Sequence, residues 1–173
     1  MIKNILCALD GSAHAEKALA LAIEIAQKFD ARLVIFHVLL RNLDAEEIRR
    51  FSEIEGLTPE SVAEVKRLQN VDGRIEVGRA YDAKTIPSST LVEIGWQILN
   101  SARSDAEEKG VRNISMVLGD GDPAARVLAC AKQEKVDCIV MGSRGLTDIQ
   151  ALLQGSVSRK VSNRADCTTI AVR

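Results

Sequence analysis

The sequence predicts an open, parallel α/β sheet with right-handed crossovers and helices on both faces, and three observations carry that expectation. Strand-like and helix-like patterns alternate through the first and last parts of the 173-residue chain. The run ARLVIFHVLL is apolar without the alternation of a half-exposed strand, as expected where helices cover both faces of a sheet. Glycines cluster in MGSRGLTDIQALLQGSV, directly after the strand-like DCIVMG. In open sheets of this class ligands collect beyond such strand ends.

The opening IKNILCALD is a short β-rich run that ends in an acid and a glycine. Ala15, Ala18, Leu19, Ala22, Ile25, Ala26 and Phe29 then recur at helical spacing, with Ser12 available as the cap. ARLVIFHVLL follows as the second strand, making the start β-α-β. Residues 41–87 are polar, charged and without a convincing buried strand, and read as an insertion. Within them Asp44 would cap a helix stopping at Gly56, and Thr58 with Pro59 would open another, giving a helical hairpin. After Pro87, Leu91, Ile94, Gly95, Ile98, Leu99 and Ala102 line one face of a longer helix ending near Gly110. NISMVLG is the next strand, DPAARVLACAKQEK a helix opened by Asp122 and Pro123, and DCIVMG a strand. Leu146 to Gln154 has a helical pattern, a further helix runs through Val157 and Val161, and TTIAV closes the sheet.

The length suits one domain, able to bury about two thirds of its unfolded surface. With 23 basic and 24 acidic residues the net charge is −1, which provides no general field for nucleic acid phosphates. One Trp, one Tyr and three Phe make a poor base-stacking platform, so no nucleic acid partner is expected. No stretch approaches the roughly 20 apolar residues of a membrane span, and the start lacks a signal-peptide core. The expectation is a cytoplasmic protein with no membrane partner. Cys7, Cys130, Cys138 and Cys167 show no C-x-x-C spacing and read as buried thiols, not metal ligands.

Two readings of the glycine cluster stand on the residues alone. Gly142, just past a strand end, would let a ligand lie against the backbone, and the free amides after Gly155-Ser156 would form an anion site at a helix N-terminus. Alternatively, Gly142 ends a strand, Gly145 turns the chain, and Gly155 breaks a helix so that Ser156 caps the next. The spacing matches neither G-x-x-x-x-G-K-[ST] nor G-x-G-x-x-G.

Gly142-x-x-Gly145, nine residues, then Gly155-Ser156 resembles the G-2x-G-9x-G-[S/T] signature of the ATP-binding branch of the universal stress protein family. ILCALDGSAHAEKALALAIEIA and GDPAARVLACAKQEKVDCIVMGSRG share the resemblance, which covers about two thirds of the chain and leaves the charged middle unmatched. It implies a Rossmann-like, adenine nucleotide alpha hydrolase-like sheet of five parallel strands in the order 3-2-1-4-5, within a single domain spanning 1–173.

The resemblance also implies site roles. Adenine would lie against the end of the second strand near Val38, with His37 beside it. Ala8 and Leu9 would lead to Asp10, which would face the ribose together with Gly142. Gly145, Gly155, Ser156 and the backbone at Val157 would meet the phosphates, and Met141 would wall the pocket or serve the core. The ligand would be ATP, or ADP, AMP or cyclic AMP, with Mg2+ accompanying ATP and held mostly by its phosphates. Asp120 and Asp148 would stand near such an ion through water, and Arg144 or His14 would approach phosphate or face solvent. Two departures from the family pattern are Gln154, at a common leucine position, and CTTIAVR in place of a proline-containing CPVLVV. The last strand would pair with its copy in a homodimer.

No residues bring a nucleophile, a base and an orienting group together, so no catalytic residues and no protein metal ligands are assigned. The leading expectation is a nucleotide-binding sensor or regulatory module of a stress response. The alternatives are a slow ATPase or autophosphorylating protein using Ser156 or Ser158, and an interaction protein that binds no nucleotide.

Overall fold

The computed structural model describes residues 1–39, 88–145 and 156–173. The expected hairpin at Asp44, Gly56, Thr58 and Pro59 lies outside these residues, as do the 146–154 helix, Asp148, Gln154 and Gly155. The elements are β1 (Asn4–Leu9), α1 (Ala13–Phe29), β2 (Arg32–Val38), α2 (Ser88–Glu108) and β3 (Ile114–Gly119), followed by α3 (Pro123–Gln133), β4 (Cys138–Gly142), α4 (Ser156–Arg164) and β5 (Thr168–Val172). All five strands are parallel, in the order β3-β2-β1-β4-β5.

Local chemistry accounts for the helix boundaries. Ser12 is extended and its hydroxyl accepts the Ala15 amide at 3.2 Å, capping α1. Asp30 closes α1 in the left-handed conformation with its N–H on the last turn. Asp122 caps α3 by accepting the Ala125 amide at 2.8 Å, with Pro123 following in the first turn. On α1 the buried stripe includes Ile23, while Phe29, the last helical residue, is exposed.

Strand alternation divides the core between the two faces. Ile5, Cys7, Leu33, Ile35, Cys138 and Val140 pack with α1 and α2, while Leu6, Val34, Phe36, Ile139 and Met141 pack with α3 and α4. Ile5, Leu6 and Ile139 are fully buried, and burial of such a side chain stabilises by about 1.5–3 kcal/mol. At the amino end of the sheet the Asp137 carboxylate accepts the Lys3 and Asn4 amides at 2.8 and 2.9 Å. Those two hydrogen bonds hold the Asp137 carboxyl below its ordinary pKa. The carboxyl end is left to the loops.

All four cysteines are free; Cys167 is half-buried and the other three are buried. Among the described residues no helix is long and apolar enough to cross a membrane.

Candidate functional site

The strand order reverses between β1 and β4: β2 and β3 extend the sheet on one side of β1, and β4 and β5 on the other. Crossovers leaving these two strands diverge, which opens a crevice beyond their carboxyl ends. Asp10 and Gly11 follow β1 there, and Ser143, Arg144 and Gly145 follow β4.

Asp10 is half-buried, and its Oδ1 accepts the Ser12 amide at 3.0 Å. Its other oxygen, Oδ2, stands 2.6 Å from where a Cβ on Gly145 would lie. Gly11, with φ +78°, turns the chain between β1 and the cap of α1. The Ser12 hydroxyl also reaches the Arg144 carbonyl at 3.5 Å, tying the start of α1 to the loop after β4.

Gly142 has a different neighbour from the ligand suggested by its position. A Cβ there would meet the His14 Cβ at 2.9 Å, and the His14 carbonyl carbon and Arg144 oxygen at 3.0 Å. Its bareness lets α1 sit against β4, and any contact with a ligand would use its main chain.

On the α3/α4 face, Val38 and Met141 are buried and Ala8 and Val157 pack beside them in one cluster. Met141 is therefore a core side chain, 3% exposed, whose strand leads into the crevice. Leu9 points to the opposite face and packs with the α1/α2 cluster. His37 lies beside Leu9 in the register of the two strands, 2% exposed, with Nδ1 2.9 Å from the Leu9 oxygen. Burial lowers the His37 pKa, while the Leu9 carbonyl and the Asp10 charge act in the opposite direction.

α4 begins at Ser156, and the Ser158 hydroxyl donates to the Ser143 oxygen at 2.9 Å. The first turn of the helix is thereby held to the end of β4. Ser158 is 3% exposed and engaged in this way, so its hydroxyl is not presented as a phosphoryl acceptor. The sequence reading passed over Ser143, whose Oγ is buried and hydrogen-bonds to no described residue. Its position between Gly142 and Arg144 was the only signal available. Gly11 was read only as the residue ending the first strand, since its positive φ leaves no trace in an apolar pattern.

Asp120 follows β3 beyond β2, where the Arg126 side chain donates to its carbonyl at 2.5 Å. Among the described residues no three His, Cys, Asp or Glu side chains gather as a metal site. A groove of about 260 Å³ runs between α1 and α2 and reaches the crevice at Leu9 and Gly11, its lining including Ala15, Leu19 and Ile98 with Glu16, Asp105 and Lys109. Two acids against one base make it a poorer anion seat than the crevice, where a helix N-terminus faces the loop after β4.

A family model described as the universal stress protein family matches residues 1–173, including the middle segment that the glycine motif alone leaves uncovered. The chain is 31% identical to universal stress protein YxiE of Bacillus subtilis, with all of both chains covered. Among solved structures it is similar to a universal stress protein in complex with cAMP, at TM-score 0.63 and 21% identity, covering 99% of this chain and 97% of that one. It is also similar to a universal stress protein family protein from Arabidopsis thaliana with AMP bound, at TM-score 0.59 and 17% identity, covering 98% and 90%. These structural likenesses establish a shared Rossmann-like α/β fold.

Proposed function

The chain belongs to the universal stress protein family, and from that premise we propose that it binds an adenine nucleotide, ATP by preference, as a sensor or regulatory module in the cytoplasm. The observation that carries this reading is the approach of Asp10 to Gly145 beside a helix whose first turn is tied to Ser143. A carboxylate suited to vicinal ribose hydroxyls and a set of amides suited to phosphate then share one crevice. Two structurally similar proteins are described with cAMP and with AMP, which supports the adenine class.

In this reading adenine lies at the end of β2 near Val38, with Ala8 and Leu9 contributing the strand beneath, while the Met141 side chain stays in the core and only its main chain leads to the ligand. Asp10 and Gly142 meet the ribose. Gly145, Gly155, Ser156 and the Val157 main chain meet the phosphates. If the ligand is a triphosphate, Mg2+ would ride on its phosphates. We further assign 1–173 to one domain carrying a helical insertion at about 41–87. β5, whose outer edge has no strand neighbour among the described residues, is proposed as the homodimer contact.

Denaturing freshly purified protein and identifying the released small molecules tests occupancy, and calorimetry with ATP, ADP, AMP and cyclic AMP ranks the ligands. An adenine nucleotide released or bound supports the proposal. No binding of any of the four at millimolar concentration overturns it. Gly155→Val is expected to abolish ATP binding by filling the phosphate seat.

A further inference from the structure

His37 is a buried imidazole at a position where packing alone would favour an apolar side chain. It lies under α2, where a Cβ on Gly95 would meet His37 Cδ2 at 3.1 Å and Leu118 Cδ1 at 2.6 Å. Its Nδ1 is 2.9 Å from the Leu9 carbonyl oxygen, and a carbonyl only accepts. The proton therefore sits on Nδ1, and the ring donates to the last residue of β1.

The Leu9 carbonyl and the Asp10 amide belong to one planar unit. Holding the carbonyl oxygen restrains that plane, and with it the position of the Asp10 Cα from which the carboxylate side chain leaves. Asp10 has little latitude beyond this, with Oδ1 on the Ser12 amide and Oδ2 against Gly145. We propose that His37 is a positioning residue of the pocket, its Nδ1–H locking the Leu9–Asp10 peptide so that the Asp10 carboxylate is aimed at the ribose hydroxyls. The consequence for ligand rests on the nucleotide-binding reading above; the effect on Asp10 does not.

Three variants separate positioning from packing. His37→Asn keeps an amide donor where Nδ1 stands, His37→Gln moves it toward the Nε2 position, and His37→Leu removes it. Calorimetry would compare ATP with 2′,3′-dideoxy-ATP. Carboxylate bonds to the ribose give wild type a preference for ATP of about tenfold or more. That preference collapses toward one in His37→Leu and His37→Gln and returns in His37→Asn. Equal weakening of both ligands in His37→Leu, or a His37→Asn protein that behaves like it, overturns the proposal.

NMR of the ligand-free protein supplies a second arm. Wild type is expected to show the Nδ1–H tautomer at His37, and the Asp10 carboxyl carbon shift moves in His37→Leu and His37→Gln but not in His37→Asn. An Nε2–H tautomer, or an Asp10 signal indifferent to all three variants, overturns the proposal without any nucleotide. If wild type binds no nucleotide while Asp10 responds as described, the functional reading fails and the positioning role stands.

Discussion

The carboxylate of Asp10 fills the space that Gly145 leaves open: Oδ2 lies 2.6 Å from where a Cβ on Gly145 would stand. A residue just after the first strand thus meets one just after the fourth. Their contact marks the mouth of the crevice and explains why a side chain is missing at 145.

Gly145→Ala is expected to separate binding from folding. The atom it crowds is the free end of a carboxylate, which can swing away, so unfolding free energy should change by less than about 1 kcal/mol. ATP affinity should fall by about tenfold as the carboxylate loses its aim. Calorimetry and a urea titration on the same preparation check both. Undiminished affinity would remove Asp10 from the ribose site.

Gly142→Ala should cost stability as well. Its new Cβ would press on the His14 carbonyl carbon and the Arg144 oxygen, both main-chain atoms at 3.0 Å, so α1 or the loop must shift. Overpacking of this kind costs about 1–3 kcal/mol. The urea midpoint reports it, and an unmoved midpoint would mean that α1 does not lie so close to β4.

Ser12→Ala removes the acceptor for the Ala15 amide and the hydroxyl that reaches Arg144. A loss of about 1 kcal/mol is expected, with Ser12→Thr retaining most of the stability. Thermal unfolding followed by circular dichroism measures the difference. Equal melting of Ser12→Ala and wild type would exclude a capping contribution.

The buried thiols make stability fall in alkali. Burial pushes Cys130 and Cys138 up to about 11 from an ordinary value of 9.0, with nearby Glu134 adding to the first and Cys167 and Asp137 to the second. Cys7 is raised further by burial alone. The folded-state pKa values lie above the unfolded ones, so this contribution is complete below pH 9.0 and is lost as pH rises toward about 11. Unfolding free energy measured across that window should decline, and Cys130→Ala with Cys138→Ala should flatten the slope. Under native conditions half-buried Cys167 should react with a thiol reagent first. Faster reaction at Cys7 would contradict the packing of β1.

Local chemistry is where the sequence was most legible. The Asp122-Pro123 start of α3 and the Ser12 cap of α1 are set by hydrogen bonds reaching three residues along the chain. The unbroken apolar run of β2 correctly announced a strand covered on both faces, since Val34 and Ile35 are fully buried on opposite sides. Phe29 was harder to place, because periodicity gives a direction around the helix but not where the cover ends. Met141 could be wall or core from its sequence position, and only the packing of β4 against α4 assigned its side chain to the core.

Among the described residues the sequence by itself determined which segments become strands and helices, the caps of α1 and α3, and the family that the glycine motif of the last third points to. These depend on neighbours a few residues apart, and short-range patterns record them. Tertiary structure alone decided that His14 needs Gly142 bare, that Asp10 rests on Gly145, and that His37 donates to Leu9. Each of those contacts requires β1 to lie between β2 and β4. The strand order itself was implied by the family resemblance of the motif, and it holds; the side-chain contacts across it depend on packing between strands far apart in the chain, which no local stretch encodes.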